Sequence, residues 1–326
     1  MSLEWVGSVL AGTTSVGVVY LLGSLGEIYA ERSGILNLGL EGIMALGAAT
    51  SFITTIAWGH AVAFFVAGVL GILMGLLLAF FTVSLRLNQI AVGLAITMLG
   101  SGLSGFIAFP TTRKTILRAL NPELPSTALE AQSAPMLPSA PLPFLKDVPI
   151  AGPMLFNHNP VVYVSLILAP TMWFLLFRTS VGLKIRSVGE NPGMADALGI
   201  NVFRIRYLTC MLSGAFSAMA GAYLILGFQP FWIEGITGGR GFITLSLIIL
   251  SAWSPLRAVF GSLLFGGIEV LQYRLQLFGF GAASPQFVLM LPYAIAVITL
   301  SLLSIESFRK RISAPAALAK PYYREE

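Results

Sequence analysis

Charged side chains are scarce in this chain. They make up 10% of its 326 residues, whereas about a quarter of the residues of a soluble domain are charged. Hydrophobic residues make up 56%, and the mean hydropathy is +0.85. This composition excludes a soluble globular enzyme, a disordered chain and a disulfide-stapled secreted module, and it predicts an all-α integral membrane protein.

Residues that carry metal, disulfide or catalytic chemistry are equally rare. The single cysteine, Cys210, allows neither a disulfide framework nor a cysteine metal site. The two histidines, His60 and His158, are far apart in sequence, so we expect no histidine metal site either. There is no G-x-x-x-x-G-K-[ST] loop, and no nucleophile elbow is followed by a suitable histidine and acid. We therefore predict no catalytic residue, no metal and no cofactor. Transport driven by ATP would need a separate ATPase.

Nine apolar stretches are candidate membrane spans, which need about 20 residues. They are Val6–Ile28, Gly34–Ile56, Ala61–Leu85, Gln89–Phe109, Pro160–Phe177, Tyr207–Phe228, Gly241–Trp253, Ala258–Gln276 and Gln286–Ile305. The seventh is short, which indicates a broken or re-entrant helix. The prediction is a single transmembrane domain over residues 1–326, a polytopic helix bundle of about nine spans, with a range of eight to ten.

The basic residues are distributed unevenly between the two sides that nine spans define. Thirteen of the nineteen Lys and Arg residues fall on the side of residues 179–206 and the tail 306–326. The other six are Arg113, Lys114, Arg118, Lys146, Arg240 and Arg274. Because short cytoplasmic loops are enriched in Lys and Arg, this asymmetry predicts an external N-terminus and a cytoplasmic C-terminal tail.

Two segments outside the spans are distinctive. Residues 110–159 are rich in proline, serine and alanine, which predicts a long, irregular and partly extended external loop. This loop is either a plain linker or part of a docking surface for an external partner. Residues 179–206 are polar and basic at both ends. In that segment Asn191 suits a helix cap, Pro192 a first helical position and Gly199 a stop, so we predict a short helix at Pro192–Leu198.

Small residues recur four positions apart in several predicted spans. The repeats are Gly71 with Gly75, Ser101 with Gly105, and the series Ser213, Ser217 and Gly221. Small residues at this spacing let helix backbones approach closely. The pattern predicts either ordinary tight packing or a mobile bundle that can gate.

Polar residues within or beside the spans are the candidates for a solute path. They are Asn37, Glu41, Asn88, Gln89, Thr97, Gln229 and Glu269. Ionisable groups at membrane depth usually face protein or water, and glycines beside several of them permit helix breaks that open onto a cavity. Each residue either lines a path for a polar solute, such as a sugar or nucleoside, or makes a structural bond between helices.

Two long motifs resemble those of a known family. The segment GEIYAERSGILNLGLEGIMALGA, at Gly26–Ala48, is similar to the signature of permease subunits of bacterial ABC importers for ribose-type sugars and nucleosides. The segment Ser187–Leu224 is similar to the coupling helix and following span of the same family. The nucleoside branch, which works with a BMP-type binding lipoprotein, is most similar.

The resemblance implies a function and partners. We expect a permease that forms the path for a small polar solute, a nucleoside first and a simple sugar as the alternative. An ion-coupled secondary transporter and a receptor-type membrane protein are further alternatives. The implied partners are a related second permease chain in a heterodimer, a cytoplasmic ATPase that binds the ATP, and an external binding lipoprotein, all at the bacterial inner membrane. Nucleic acid is not an expected partner. The residues implied in ATPase coupling are Glu190, Asn191, Pro192, Ala195, Asp196, Ala197, Leu198 and Gly199.

Overall fold

A computed structural model describes residues 3–141, 143, 148, 150–277, 285–303 and 314–324. All of the longer regular elements in these ranges are helices. They are α1 (Leu3–Arg32), α2 (Leu40–Trp58), α3 (His60–Ala79), α4 (Gln89–Ala108), α5 (Pro110–Leu120), α6 (Ser126–Leu129), α7 (Pro160–Arg178), α8 (Ser180–Glu190), α9 (Pro192–Ala197), α10 (Val202–Tyr223), α11 (Arg240–Leu250), α12 (Pro255–Leu277), α13 (Pro285–Leu289) and α14 (Leu291–Leu303). Three π-helical turns, Phe80–Ser84, Gly152–Phe156 and Leu224–Phe228, complete the set.

Six of the described helices are long and apolar enough to cross a membrane. They are Trp5–Arg32, Leu40–Trp58, His60–Ser84, Gln89–Ala108, Pro160–Arg178 and Val202–Phe228, and they coincide with the first six predicted spans. The structure therefore supports an all-α membrane protein, but it does not support about nine full spans.

The last third of the chain accounts for this difference. The predicted seventh span is α11, which has only 11 residues and is about 16 Å long at 1.5 Å per residue. The predicted eighth is α12, which is 23 residues long but carries Arg257, Glu269 and Arg274. The predicted ninth is divided between α13 and α14, and its last residues, 304 and 305, lie outside the described part of the chain.

The centre of the bundle is built around α2, in which all but two residues are buried. Close glycine contacts bring α10 against it. A Cβ added at Gly221 would lie 1.9 Å from the carbonyl oxygen of Met44, and one added at Gly47 would lie 2.2 Å from that of Ala218. Only glycine fits at such separations, so the small residues of α10 pack helix against helix.

The small residues of α3 and α4 have different surroundings. A Cβ at Gly71 would lie 2.2 Å from the carbonyl oxygen of Gly214, so α3 also packs closely on α10. In α4, by contrast, a Cβ at Gly102 or Gly105 would meet nothing within 4 Å. The Ser101 and Gly105 pair therefore makes no close helix contact among the described residues of this chain.

Both polar segments contain more helix than the sequence predicted. Residues 110–159 begin with α5, so the prediction of an irregular loop is wrong for its first part; residues 142, 144–147 and 149 lie outside the described ones. Residues 179–206 form α8 as well as the predicted short helix. Thr179 caps α8, because its hydroxyl accepts a hydrogen bond from the Gly182 amide at 3.3 Å.

Candidate functional site

The first helix interruption, Ser33–Gly39 between α1 and α2, is closed by side chains. The fully buried Glu27 carboxylate accepts hydrogen bonds from the Asn37 amide at 2.9 Å and from the Ser213 hydroxyl at 2.5 Å. The Asn37 side chain donates to Ser213 at 3.0 Å and accepts from the Gly39 amide at 2.9 Å. Buried backbone groups need such internal partners, so Asn37 holds the chain in this turn.

Helix α4 supplies further partners of this interruption, which we call the closed break. Gln89 accepts a hydrogen bond from the Leu36 amide at 2.8 Å. Thr97 donates its hydroxyl hydrogen to the Leu38 carbonyl at 2.9 Å. Both side chains are thus bound to backbone groups of the closed break.

The second interruption, Gln229–Gly239, leads into α11 and opens onto a cavity of about 470 Å³. The lining residues are Tyr20, Gln229, Ile233, Gly235, Ile236, Gly238, Arg240, Ile243, Glu269, Gln272, Tyr273, Leu289, Pro292 and Tyr293. We call this space the polar cavity. Tyr20 is 17 residues from one end of α1 and 12 from the other, so the polar cavity lies near the middle of that helix.

A buried ion pair between Arg240 and Glu269 lies on the wall of the polar cavity. Two guanidinium nitrogens of Arg240 donate to the same carboxylate oxygen, Nε at 3.1 Å and Nη2 at closer range. The hydroxyl of Tyr20 donates to the other oxygen at 2.6 Å. The third nitrogen, Nη1, donates to the carbonyls of Ile236 at 2.7 Å and Thr237 at 3.1 Å. The ion pair therefore ties α1, α11 and α12 together.

Glu41 of α2 binds the N-terminus of α11. Its carboxylate oxygens accept hydrogen bonds from the amides of Gly239 at 2.7 Å and Gly241 at 2.6 Å. Gly239 has a φ of +78°, in the left-handed region that favours glycine, and an added Cβ would lie 2.2 Å from the Tyr293 hydroxyl. Since a helix N-terminus attracts negative charge, Glu41 fixes the point at which the short helix begins.

The predicted path residues thus fall into three groups. Gln229 and Glu269 line the polar cavity, and Glu41 lies directly behind it. Asn37, Gln89 and Thr97 belong to the closed break. Asn88 is separate from both, because it caps α4 by accepting hydrogen bonds from the amides of Ile90 and Ala91 at 2.9 and 3.1 Å.

The sequence reasoning missed the central residue of the polar cavity, Arg240. The nine predicted spans put it on the outer side, yet it is buried and paired with Glu269. The signal was the run Gly238-Gly239-Arg240-Gly241 in front of an apolar stretch too short to span the membrane. Tyr20, Tyr273 and Tyr293 were also missed, since tyrosines in apolar helices carry no distinctive pattern. Among the described residues, no group of His, Cys, Asp and Glu side chains could hold a metal ion.

The predicted short helix is present as α9. Asn191 caps it by accepting a hydrogen bond from the Met194 amide at 3.0 Å, and Gly199 follows it with a φ of +81°. Pro192, Ala195 and Ala197 lie within the helix, and Glu190 ends α8 just before it. Met194 and Leu198 point outward, with exposed fractions of 62% and 76%. The surface of α9 is therefore largely apolar.

The C-terminal residues 314–324 pack against α8 and α9. Asp196 accepts a hydrogen bond from the Tyr322 hydroxyl at 3.0 Å and an ion pair from Arg324 at 2.9 Å. The Ala317 amide donates to the Gly189 carbonyl at 2.9 Å, and the Ala319 amide donates to the Gly34 carbonyl at 3.2 Å. This described part of the tail connects α9 to the closed break. Of the predicted tail 306–326, residues 306–313, 325 and 326 lie outside the described ones.

Comparison with known protein families assigns the chain to one of them. Residues 9–300 match the permease component family of the branched-chain amino acid transport system. The chain belongs to this permease family. Its members are transport components, which agrees with the absence of catalytic motifs in the sequence.

Individual relatives are similar over most or nearly all of the chain. The putative glucose ABC transporter permease protein TsgC13 of Haloferax volcanii is 32% identical over 99% of this chain and 99% of its own. The guanosine ABC transporter permease protein NupQ of Bacillus subtilis is 32% identical over 99% and 98%. The nucleoside ABC transporter permease protein NupC of Lactococcus lactis is 31% identical over 86% of each chain. These matches confirm the predicted ABC permease of the sugar and nucleoside group. No solved structure matches the chain at a comparable level.

Proposed function

We propose that this chain is the membrane-spanning permease subunit of an ABC importer and that it moves nucleosides through the polar cavity. The observation that carries the proposal is the cavity itself, which lies midway along α1 beside the N-terminus of the short helix α11. Transporters commonly bind their solutes where discontinuous helices meet near the membrane midplane. Its volume of about 470 Å³ is within the range of small-molecule sites.

The lining of the polar cavity suits a solute with both a ring and hydroxyl groups. Tyr273 and Tyr293 supply aromatic surface, which can pack against a base. Gln229 and Gln272 supply amides that can both donate and accept hydrogen bonds. Two of the three relatives described above are named for nucleosides or guanosine, and this favours a nucleoside over the sugar alternative.

Glu41 and Glu269 do not support the ion-coupled alternative. An ion or proton relay would use carboxylates that are free to change partners. Glu269 is instead bound to Arg240 and Tyr20, and Glu41 is bound to two backbone amides. The permease relatives point the same way, so the ABC importer is the function that we propose.

Coupling to the ATPase would enter through α9. Movement of α9 passes to the end of α8, where a Cβ at Gly189 would lie only 2.0 Å from the Arg32 carbonyl oxygen. Arg32 is the last residue of α1, which carries Tyr20 of the polar cavity. The tail adds a second connection from Asp196 to Gly34. A push on α9 can therefore reorient α1 and change access to the cavity, provided that the ATPase binds the two states differently.

The remaining partners and the orientation follow from the resemblance and the charge distribution. We place the N-terminus outside and the tail in the cytoplasm of a bacterial cell, with α9 facing the ATPase. A related second permease chain would cover apolar faces such as that of α4, where Met98 and Phe106 are 75% and 64% exposed. An external binding lipoprotein would deliver the solute on the side of residues 110–159.

Uptake of radiolabelled nucleosides tests the proposal. Cells with and without this chain are compared, and unlabelled ribose, xylose and nucleobases serve as competitors. We expect nucleoside uptake to be lost in the deletion and to resist competition by the sugars. Unchanged nucleoside uptake together with lost sugar uptake would move the proposal to the sugar alternative, for which the relative TsgC13 is the precedent. Unchanged uptake of both would contradict it.

A further inference from the structure

Two positive centres lie at the polar cavity. One is the guanidinium of Arg240, whose side chain is only 8% exposed. The other is the N-terminus of α11, where the amides of Gly239 and Gly241 point away from the helix. Either centre could bind a carboxylate or phosphate group of a solute, because both anion recognition by arginine and anion binding at helix N-termini are strong.

The chain itself supplies a carboxylate to each of these centres. Glu269 accepts hydrogen bonds from two nitrogens of Arg240, and backbone carbonyls accept those of the third. Glu41 reaches the α11 amides from α2, and the helices are so close there that a Cβ at Gly241 would lie 2.6 Å from the Glu41 nitrogen. Glu41 therefore occupies the position that an anionic solute would take at this helix.

The charges at the polar cavity consequently cancel. The polar groups that remain for a solute are the uncharged amides of Gln229 and Gln272, because the hydroxyls of Tyr20, Tyr273 and Tyr293 are bound within the chain. An uncharged polar solute can bind them without disturbing the ion pair. An anionic solute would find no free cation among the described residues that line the cavity, and its desolvation would go uncompensated.

We infer that Glu41 and Glu269 determine the charge selectivity of this permease, admitting uncharged polar solutes and rejecting those that carry a carboxylate or phosphate. The inference rests on the proposed function, because it takes the polar cavity as the solute path. It goes further in assigning selectivity to two named side chains that touch no solute charge themselves. It also predicts that removal of the Glu41 charge creates an anion site.

The test compares matched pairs of solutes that differ in charge. The complete importer is purified in detergent, and its thermal stability is measured with guanosine against guanosine 5′-monophosphate, and with glucose against gluconate. Wild type should be stabilised by an uncharged member of a pair and should bind the anionic member about tenfold more weakly or not at all, the discrimination that one charge-assisted hydrogen bond provides. Glu41→Gln should close that gap, since the amide leaves an α11 N–H free for an anion. Glu234→Gln, at an exposed position outside the cavity lining, is the control and should behave as wild type.

A second variant keeps the test decisive if Glu41→Gln does not assemble. Arg240→Gln combined with Glu269→Gln removes both charges of the ion pair but leaves Glu41 in place, and it should still reject anions. Equal binding of charged and uncharged members by wild type, or anion rejection by a folded Glu41→Gln, would overturn the inference and leave the proposed transport function standing. Anion binding by the double variant would also overturn it. Binding of no solute by wild type, with nucleoside uptake intact in cells, would overturn it by excluding the polar cavity as the path. The proposed function would be refuted by the separate uptake experiment, if deletion of this chain left the uptake of nucleosides and sugars unchanged.

Discussion

The closed break and the second interruption, which borders the polar cavity, are both stabilised by carboxylates, but with different results. At the closed break, the carboxylate of Glu27 in α1 accepts a hydrogen bond from the Asn37 amide. At the second interruption, the carboxylate of Glu41 in α2 accepts one from the Gly239 amide. Most residues of the closed break are then buried, and Asn37 and Ser213 have no exposed surface. The second interruption instead borders about 470 Å³ of open space. Buried polar residues thus stabilise a bent backbone in one place and leave polar groups for a solute in the other.

The difference arises from how closely the next helix can approach. At the closed break, a Cβ at Gly93 of α4 would lie 2.7 Å from the Cβ of Leu38, so α4 packs directly onto the turn. At the polar cavity, α11 has only 11 residues, and the residues directly before it, Gln229–Gly239, form no helix. The space that a full span would fill is left to side chains and solute. The shortness of α11 therefore leaves space for the cavity, whereas close packing at Gly93 leaves no such space at the closed break.

The largest effect is expected from Glu27→Ala, because it removes the acceptor on which the closed break depends. The Asn37 amide and the Ser213 hydroxyl would lose their partner in a dry interior, at about 1–3 kcal/mol for each buried group. The variant should fail to accumulate as assembled protein or should unfold well below wild type in a detergent thermal-shift assay. Glu27→Gln retains an acceptor oxygen and should recover most of the stability. Wild-type stability in Glu27→Ala would mean that the break is not held in this way.

A smaller effect is expected when the close packing around the break is disturbed. Gly221→Ala would place a methyl group 1.9 Å from the Met44 carbonyl, so α2 and α10 must separate, and overpacking of this kind costs about 1–3 kcal/mol. Gly102→Ala is the matched control, since its added methyl group meets nothing within 4 Å. We expect a lower unfolding temperature for Gly221→Ala and an unchanged unfolding temperature for Gly102→Ala. Equal stability of the two would show that the tight crossing is not needed.

Two glutamines separate the roles of the two regions. Gln89 is 2% exposed and accepts a hydrogen bond from the Leu36 amide, so Gln89→Ala should lower stability by about 1–3 kcal/mol. Gln229 lines the polar cavity, and Gln229→Ala should change stability by less than about 0.5 kcal/mol while reducing nucleoside uptake. Thermal shift and uptake are measured on both variants. A loss of uptake alone in Gln89→Ala, with a loss of stability in Gln229→Ala, would contradict the roles assigned to the two interruptions.

The sequence revealed that these regions are polar, but not which of them is open. Asn37 and Gln229 look alike in sequence, since each is an amide beside apolar residues and near glycines. What distinguishes them is the helix packed on top, and that depends on tertiary contacts such as Gly93 against Leu38. The first six spans were predictable because long apolar runs determine them directly. The pairing of Arg240 with Glu269 was not, because their helices are joined only in the folded bundle.

The short helix α9 was predictable for a different reason. Its cap, its first position and its stop are local properties of Asn191, Pro192 and Gly199. The tail that binds it could not be predicted, since Tyr322 and Arg324 follow Asp196 by more than a hundred residues. Local signals therefore determined the end points of this helix, while its connection to the closed break is a long-range feature.

The smallest effect on stability is expected at this connection. Asp196→Asn weakens an ion pair whose partner Arg324 is 65% exposed, and exposed pairs contribute about 0–1 kcal/mol. The unfolding temperature should therefore stay close to that of wild type. Uptake should nevertheless fall if α9 and the tail transmit movement from the ATPase, and ATP hydrolysis by the purified importer should respond less to solute.

Lys114→Gln is the control for this prediction. It removes the exposed pair with Glu130 in the 110–159 segment, a pair of similar strength that is remote in sequence from α9. Normal uptake and normal solute response in Asp196→Asn would show that the charge of Asp196 has no part in coupling, and would leave the apolar surface of Met194 and Leu198 as the contact to examine.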